Sequence, residues 1–113
     1  MTQILHTASG APIFKPGFDR LDGLRAAQFK SDCIAALRGP RLLVDLSEVV
    51  FIDSSGLGAL VGVLKHLGEA GEMGLVTEAS GVLTLLKITR LHTIFRVFPS
   101  LTAGSAWLDS ATT

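Results

Sequence analysis

Hydrophobic positions along this chain recur with two different spacings, and each spacing predicts one kind of element. Apolar residues three and four apart are typical of the buried face of a helix, while short apolar runs between turn residues are typical of strands. Two short strands are predicted in residues 3–16, because Ser9 and Gly10 between them favour a tight turn. Residues 17–22 are then predicted to form a loop.

The first predicted helix follows this loop and ends at a Gly-Pro pair, which is typical of a helix end. Since Cys33 lies on its apolar side, this residue is interpreted as a small buried hydrophobic side chain rather than a nucleophile. The predicted buried face of the helix consists of Ala26, Phe29, Cys33 and Leu37.

Strands and helices continue to alternate in the second half of the chain. A helix is predicted directly after Asp53, and Ser80 is predicted to cap the next one. The apolar positions of the helix after Asp53 are Leu57, Leu60, Val61, Leu64 and Leu67. Further strands are predicted at residues 42–46, 73–78 and 94–98, and further helices at 81–91 and 99–110.

This order of elements predicts an α/β fold in which helices cover a central sheet. The sheet is expected to be mixed but mostly parallel, with four to five strands, an N-terminal hairpin and about four helices. A chain of 113 residues suits one domain, so residues 1–113 are expected to form a single domain.

Composition and charge narrow the classes of function. Lys and Arg together number 10, as do Asp and Glu, so no net charge attracts the chain to nucleic acid or to an anionic membrane. A lone cysteine suggests a reducing compartment, and the N-terminus does not resemble a signal peptide. A cytoplasmic protein without membrane insertion is therefore expected. The three histidines are scattered without metal-ligand spacing, so no metal site is predicted.

The candidate chemistry lies at one corner, where a β-rich run ends in Asp53-Ser54-Ser55-Gly56 and a helix begins. Functional sites in open α/β sheets lie beyond the carboxyl ends of strands, which makes this corner a favoured position. Three interpretations are open. The first is helix capping, because an Asp or Ser oxygen can accept an unpaired helix N–H and stabilise the helix by roughly 1 kcal/mol.

The second interpretation is a dinucleotide site. A strand, then Gly56-Leu57-Gly58, then a helix resembles a phosphate-binding turn, and Glu78 could bind a ribose. The third glycine of that motif would stand at position 61, which is valine, and too little chain remains for two nucleotide-binding halves.

The third interpretation is a phosphoacceptor serine. A serine at a helix start is accessible to a kinase, and an added phosphate would meet free N–H groups and the positive end of the helix dipole. The fold would tolerate the new charge, whereas a docked partner would be repelled. A serine hydrolase is not indicated, because no G-x-S-x-G elbow surrounds Ser54.

The chain resembles the STAS domain of anti-sigma factor antagonists. The resemblance rests on "VDLS", on "IDSSGLGAL", on a later "FRVFPSL" and on "GFDRLDG", and it extends over residues 17–108. It implies that the protein is a binding module and not an enzyme, that it needs no cofactor, and that the serine after the aspartate is phosphorylated. Ser54 is that serine, and Ser55 is its neighbour.

The resemblance also implies the partners. These are an anti-sigma factor or switch serine kinase with a histidine-kinase-like ATPase fold, which binds the unphosphorylated protein, and a PP2C-type phosphatase, which restores it. Leu57 is expected to be partly exposed as an apolar contact. The residues expected to contact the partner are Asp22, Asp53, Ser55, Gly56 and Leu57.

Two departures from the family pattern and two alternative functions accompany this interpretation. The first strands, in residues 2–15, match the family only in their pattern. The third helix of the family ends in Gly-Leu, where this chain has Arg90-Leu91, so that turn is expected to differ in shape. The alternatives are a STAS scaffold that is never phosphorylated, as in lipid transport or beside anion transporters, and a small nucleotide-binding domain.

Overall fold

The structure is a computed structural model, and it describes residues 3–110. The strands are β1 (Gln3–His6), β2 (Pro12–Lys15), β3 (Arg20–Leu21), β4 (Arg41–Asp45), β5 (Phe51–Ile52), β6 (Glu72–Val76) and β7 (Arg96–Phe98). The helices are α1 (Ala26–Ala35), α2 (Ser54–Leu67), α3 (Ser80–Ile88) and α4 (Leu101–Asp109), and a short 3-10 turn spans Leu91–Thr93. No helix within residues 3–110 is long and apolar enough to cross a bilayer.

The main sheet has five strands in the order β1-β2-β4-β6-β7. Strand β1 runs antiparallel to β2, which confirms the N-terminal hairpin, and the other neighbouring pairs are parallel. Helices α1, α2 and α3 contribute to the larger apolar core on one face of this sheet, and α4 covers the other. The predicted α/β fold with a mixed, mostly parallel sheet is therefore confirmed.

The central strands owe their position to apolar residues on both of their faces. In β4, Leu42 and Val44 belong to the core under the three helices, while Leu43 between them belongs to the core under α4. Successive side chains of a strand point to opposite faces, so a run without polar residues must be covered on both sides. Asp45 ends this strand, and its carboxylate accepts the Ser47 N–H at 3.0 Å.

A second, two-stranded sheet corrects the prediction of a loop at residues 17–22. Arg20 and Leu21 form β3, which pairs in parallel with β5. The Asp19 carbonyl also accepts the Val50 N–H at 2.9 Å. A strand of two residues carries no readable alternation, so it forms only because the tertiary fold brings its partner strand alongside.

The helix faces follow the predicted spacing for the most part. Ala26, Phe29 and Cys33 of α1 are buried, as predicted. Burial, with the Asp32 carboxylate as a smaller contribution, raises the pKa of the Cys33 thiol to about 12. A thiol with so high a pKa stays protonated and is not a nucleophile at neutral pH.

Two details of α3 differ from the sequence prediction. Ser80 does not cap this helix, because the N-cap residue is Ala79 and no side chain completes the cap. The Thr77 hydroxyl accepts the Ala79 N–H at 3.2 Å instead. At the other end, Arg90 has a φ of 62°, in the left-handed region, so the backbone adopts the conformation that glycine favours although the residue is arginine.

Candidate functional site

The candidate site is the corner between β5 and α2, and Asp53 determines its shape. Asp53 is the N-cap of α2, in extended conformation, and its Oδ1 accepts the Gly56 N–H at 2.9 Å. An oxygen at this position satisfies one of the helix N–H groups that have no acceptor within the helix. The capping interpretation is therefore confirmed for Asp53.

The same carboxylate has a second contact that the sequence did not indicate. Its other oxygen, Oδ2, accepts the N–H of Gly23 at 3.1 Å, thirty residues earlier in the chain. The backbone N–H of Asp53 donates to the Leu21 carbonyl at 3.3 Å. One residue thus joins the start of α2 to the loop between β3 and α1, which we call the 22–25 loop.

Glycine is required at position 56, where α2 passes close to β3. A Cβ built on Gly56 would lie 2.1 Å from the Leu21 carbonyl oxygen and 2.9 Å from a methyl carbon of Ile52. No side chain fits at that distance from a backbone atom, so the close contact between β3 and α2 depends on glycine. Since the Leu21 carbonyl and the Asp53 carboxylate already occupy the space around Gly56, the corner is poorly suited to a pyrophosphate, and the dinucleotide interpretation loses its support.

The two serines of the corner lie on its outer side. Ser54 and Ser55 are the first two residues of α2, and both are exposed. Among residues 3–110, no group hydrogen-bonds the Ser54 hydroxyl, and the N–H groups of Ser54 and Ser55 have no protein acceptor. The hydroxyl is thus accessible to an enzyme, beside two N–H groups at the positive end of a helix dipole.

Asp22 lies on the 22–25 loop, and its negative charge is paired with two arginines. Its Oδ1 accepts the Leu24 N–H at 3.2 Å, and it lies 3.4 Å from Nη1 of Arg25. Nε of Arg20 is 3.8 Å from its other oxygen. Each guanidinium also lies over a phenylalanine ring, Arg20 over Phe51 at 4.2 Å and Arg25 over Phe18 at 5.5 Å.

The structure corrects the expectation for Leu57. This side chain is only 8% exposed and belongs to the main apolar core, so it offers no exposed contact beside Ser54. The physical reason is its spacing, because Leu57 lies three residues before Leu60 on the inner face of α2. Gly56 is also buried, whereas Asp53 is half-buried and Asp22 is partly exposed.

Sequence reasoning missed the part of the site that comes from other segments. Gly23 was not singled out, although it holds one oxygen of Asp53. The two arginines beside Asp22 were also missed, and only their spacing of two and three residues from Asp22 could have indicated ion pairs. A shallow groove of about 190 Å³ between α1 and α2 continues from the corner and is lined by Ala26, Ala27, Lys30, Ser55, Gly58 and Ala59.

Comparison with known proteins decides the family. The family model described as STAS domain matches residues 8–104, which is most of the chain. The chain belongs to the STAS domain family. The resemblance seen in the sequence is therefore confirmed, and the STAS match includes both the 22–25 loop and the Asp53 corner.

Solved structures of similar proteins share the fold. An anti-sigma factor antagonist from Mycobacterium paratuberculosis superposes with a TM-score of 0.83 at 23% identity, covering 96% of this chain and 93% of its own. A STAS domain protein from Planctomyces limnophilus, also an anti-sigma factor antagonist, gives 0.82 at 24% identity, covering 95% and 96%. The Bacillus cell fate determinant SpoIIAA in its phosphorylated form gives 0.65 at 18% identity, covering 91% and 96%. At these identities the likeness shows the fold.

Proposed function

We propose that this STAS protein is an anti-sigma factor antagonist whose binding to a serine kinase is switched by phosphorylation of Ser54. In the unphosphorylated state it binds an anti-sigma factor or switch kinase with a histidine-kinase-like ATPase fold. That kinase transfers the γ-phosphoryl group of ATP to the Ser54 hydroxyl, and the complex dissociates. A PP2C-type phosphatase removes the phosphate and restores binding. The protein itself acts as a binding module and catalyses no reaction.

One observation carries the proposal: Ser54 is an exposed first residue of a helix on a corner that other contacts already hold in place. Asp53 makes those contacts, to Gly56 at 2.9 Å and to Gly23 at 3.1 Å, so the Ser54 hydroxyl is not needed for folding. Modification of Ser54 therefore changes the surface and leaves the fold in place. Among the similar structures, SpoIIAA has been solved in both unphosphorylated and phosphorylated forms.

The energy of the switch comes from charge. A phosphate adds about −1.5 to −2 charges at neutral pH, next to the carboxylate of Asp53. Two like charges about 4 Å apart repel by about 4 kcal/mol at an effective dielectric constant of 20. Since about 1.4 kcal/mol corresponds to a tenfold change in affinity, one phosphate suffices to release a partner that covers the corner with a negative or desolvated surface.

The test of the site uses the purified protein, its cognate serine kinase and ATP. We expect mass spectrometry to find phosphate on Ser54 in the wild-type protein and in Ser55→Ala, and no phosphate in Ser54→Ala. A Ser54→Ala protein that is still phosphorylated would overturn the assignment of the site.

The test of the switch compares two serines in equivalent positions. Ser80 is the exposed first residue of α3, as Ser54 is of α2. We expect Ser54→Asp to weaken kinase binding at least tenfold and Ser80→Asp to leave it unchanged. If Ser54→Asp binds as tightly as the wild type, the protein is a scaffold that phosphorylation does not control.

A further inference from the structure

Leu24 is the most exposed large hydrophobic side chain of residues 3–110, at 86%. A single exposed leucine is common on protein surfaces and needs no explanation by itself. The position of this one matters, because it lies on the 22–25 loop, one residue after the Gly23 N–H that binds Asp53.

The backbone around Leu24 is held rigidly. Its own N–H donates to Oδ1 of Asp22 at 3.2 Å, and the next N–H, of Arg25, donates to the Asp22 carbonyl at 3.0 Å. The preceding N–H is the one that Asp53 accepts at 3.1 Å. A partner that binds Leu24 therefore loses little backbone entropy in ordering the loop, and this preorganisation increases affinity.

Leu24 also lies within reach of any enzyme that modifies Ser54. A Cβ built on Gly23 would lie 3.5 Å from Oγ of Ser55, the neighbour of the acceptor serine. Leu24 is one Cα–Cα step of about 3.8 Å further along the chain. A protein interface of ordinary size covers about 800 Å² on each partner, so a kinase docked on Ser54 covers this loop as well.

We propose that Leu24 is the apolar anchor of the partner surface around Ser54, and that the serine kinase carries an apolar pocket for it. This inference rests on the proposed function. Interfaces concentrate their affinity in a few side chains that become fully desolvated. Leu24 is more exposed than Val50 and Phe51, the other large apolar side chains near this corner. Leu57, the apolar candidate from the sequence, is buried and cannot serve.

The experiment measures the dissociation constant of the purified kinase for the unphosphorylated protein, with a non-hydrolysable ATP analogue bound. We expect Leu24→Ala and Leu24→Asp to weaken binding about tenfold or more, and Leu24→Met, which keeps volume and hydrophobicity, to bind like the wild type. The matched control is Ile88→Asp, since Ile88 is 73% exposed at the end of α3. We expect that variant to bind normally.

A second measurement separates anchoring from chemistry. With ATP, Leu24→Ala is expected to raise the KM of the kinase for this protein with little change in kcat, because Ser54 itself is intact. Thermal unfolding of every variant is expected to match the wild type, since both substituted side chains are exposed.

The outcomes distinguish this inference from the proposed function. If the kinase phosphorylates wild-type Ser54 but binds Leu24→Asp as tightly as wild type, the anchor is refuted and the switch stands. The anchor is also refuted, and the switch stands, if Ile88→Asp weakens kinase binding as much as Leu24→Asp does. If the kinase neither binds nor phosphorylates the wild-type protein, the proposed function fails and the anchor fails with it.

Discussion

Two of the corners at which a strand leads into a helix, β5–α2 and β6–α3, differ in what holds them. At the β5–α2 corner, the Asp53 carboxylate binds one N–H of the new helix and one N–H of the distant 22–25 loop. At the β6–α3 corner, no side chain caps the helix, and the Thr77 hydroxyl binds only the nearby Ala79 N–H. The side-chain contacts of the first corner thus reach a second segment, whereas the side-chain contact of the second stays within its own turn.

The difference suggests which corner suits recognition. A surface made from two segments presents groups from both in a fixed relation, here Ser54 and Leu24. A surface made from a single turn offers a partner a smaller contact area and fewer groups in fixed positions. The comparison therefore predicts that changes at the first corner affect stability, the 22–25 loop and binding together, while changes at the second affect stability alone.

The largest effect is expected for Gly56→Ala. The new Cβ would meet the Leu21 carbonyl oxygen at 2.1 Å, and neither backbone can withdraw without breaking the contact between β3 and α2. We expect a loss of about 3 kcal/mol of unfolding free energy, at the upper end of overpacking effects, measured by urea denaturation.

Gly58→Ala is the control for Gly56→Ala, two residues along the same helix. A Cβ on Gly58 has no neighbour within 4 Å, and alanine is the better helix former by about 1 kcal/mol. We therefore expect a small gain in stability. Equal losses for the two variants would show that helix backbone effects, rather than the contact with Leu21, explain the need for glycine at position 56.

The next effect is expected for Asp53→Ala, which removes both contacts of the carboxylate. Loss of a helix cap costs about 1–2 kcal/mol, and the Gly23 N–H loses its acceptor as well. The specific readout is amide hydrogen exchange of Gly23, which we expect to become faster. Thr77→Ala is the comparison at the other corner, and exchange of Gly23 should not change in it. Unaltered Gly23 exchange in Asp53→Ala would refute the coupling of the two segments.

A smaller effect, in the opposite direction, is expected for Ala79→Ser. Serine is a good N-cap and alanine a poor one, so supplying a hydroxyl at the N-cap of α3 should stabilise the protein by about 0.5–1 kcal/mol. Thermal unfolding measures this gain. A lower melting temperature would mean that the half-buried Ala79 methyl group matters more than the missing cap.

The smallest effect is expected for Arg90→Gly. The left-handed conformation of Arg90 costs a residue with a side chain about 1–2 kcal/mol, and glycine removes this cost. Glycine also has a greater conformational entropy in the unfolded chain, which offsets part of the stabilisation. We expect a net stabilisation of about 0.5 kcal/mol. Arg90→Ala keeps the strained conformation and should show no such gain, so equal stabilities of the two variants would contradict the explanation.

Much of the fold could be predicted from the sequence, because helices and long strands carry their own periodicity. The spacing of Ala26, Phe29 and Cys33 and the apolar run of β4 each indicated their element correctly. The loop predicted at residues 17–22 was wrong, since the two residues of β3 have no periodicity of their own. Ser80 and Leu57 were misjudged because a cap or an exposed contact depends on backbone position to within one residue.

The amino-acid sequence by itself determined the α/β fold, the STAS family and the corner at which a serine follows an aspartate. Local patterns determine such features, because each depends on residues close together in the chain. Only the tertiary structure decided that Asp53 also holds Gly23, that Gly56 lies against Leu21, and that Leu24 is exposed while Leu57 is buried. The contacts of Asp53 with Gly23 and of Gly56 with Leu21 join residues about thirty positions apart. A local sequence pattern cannot predict which distant groups the packed core brings together.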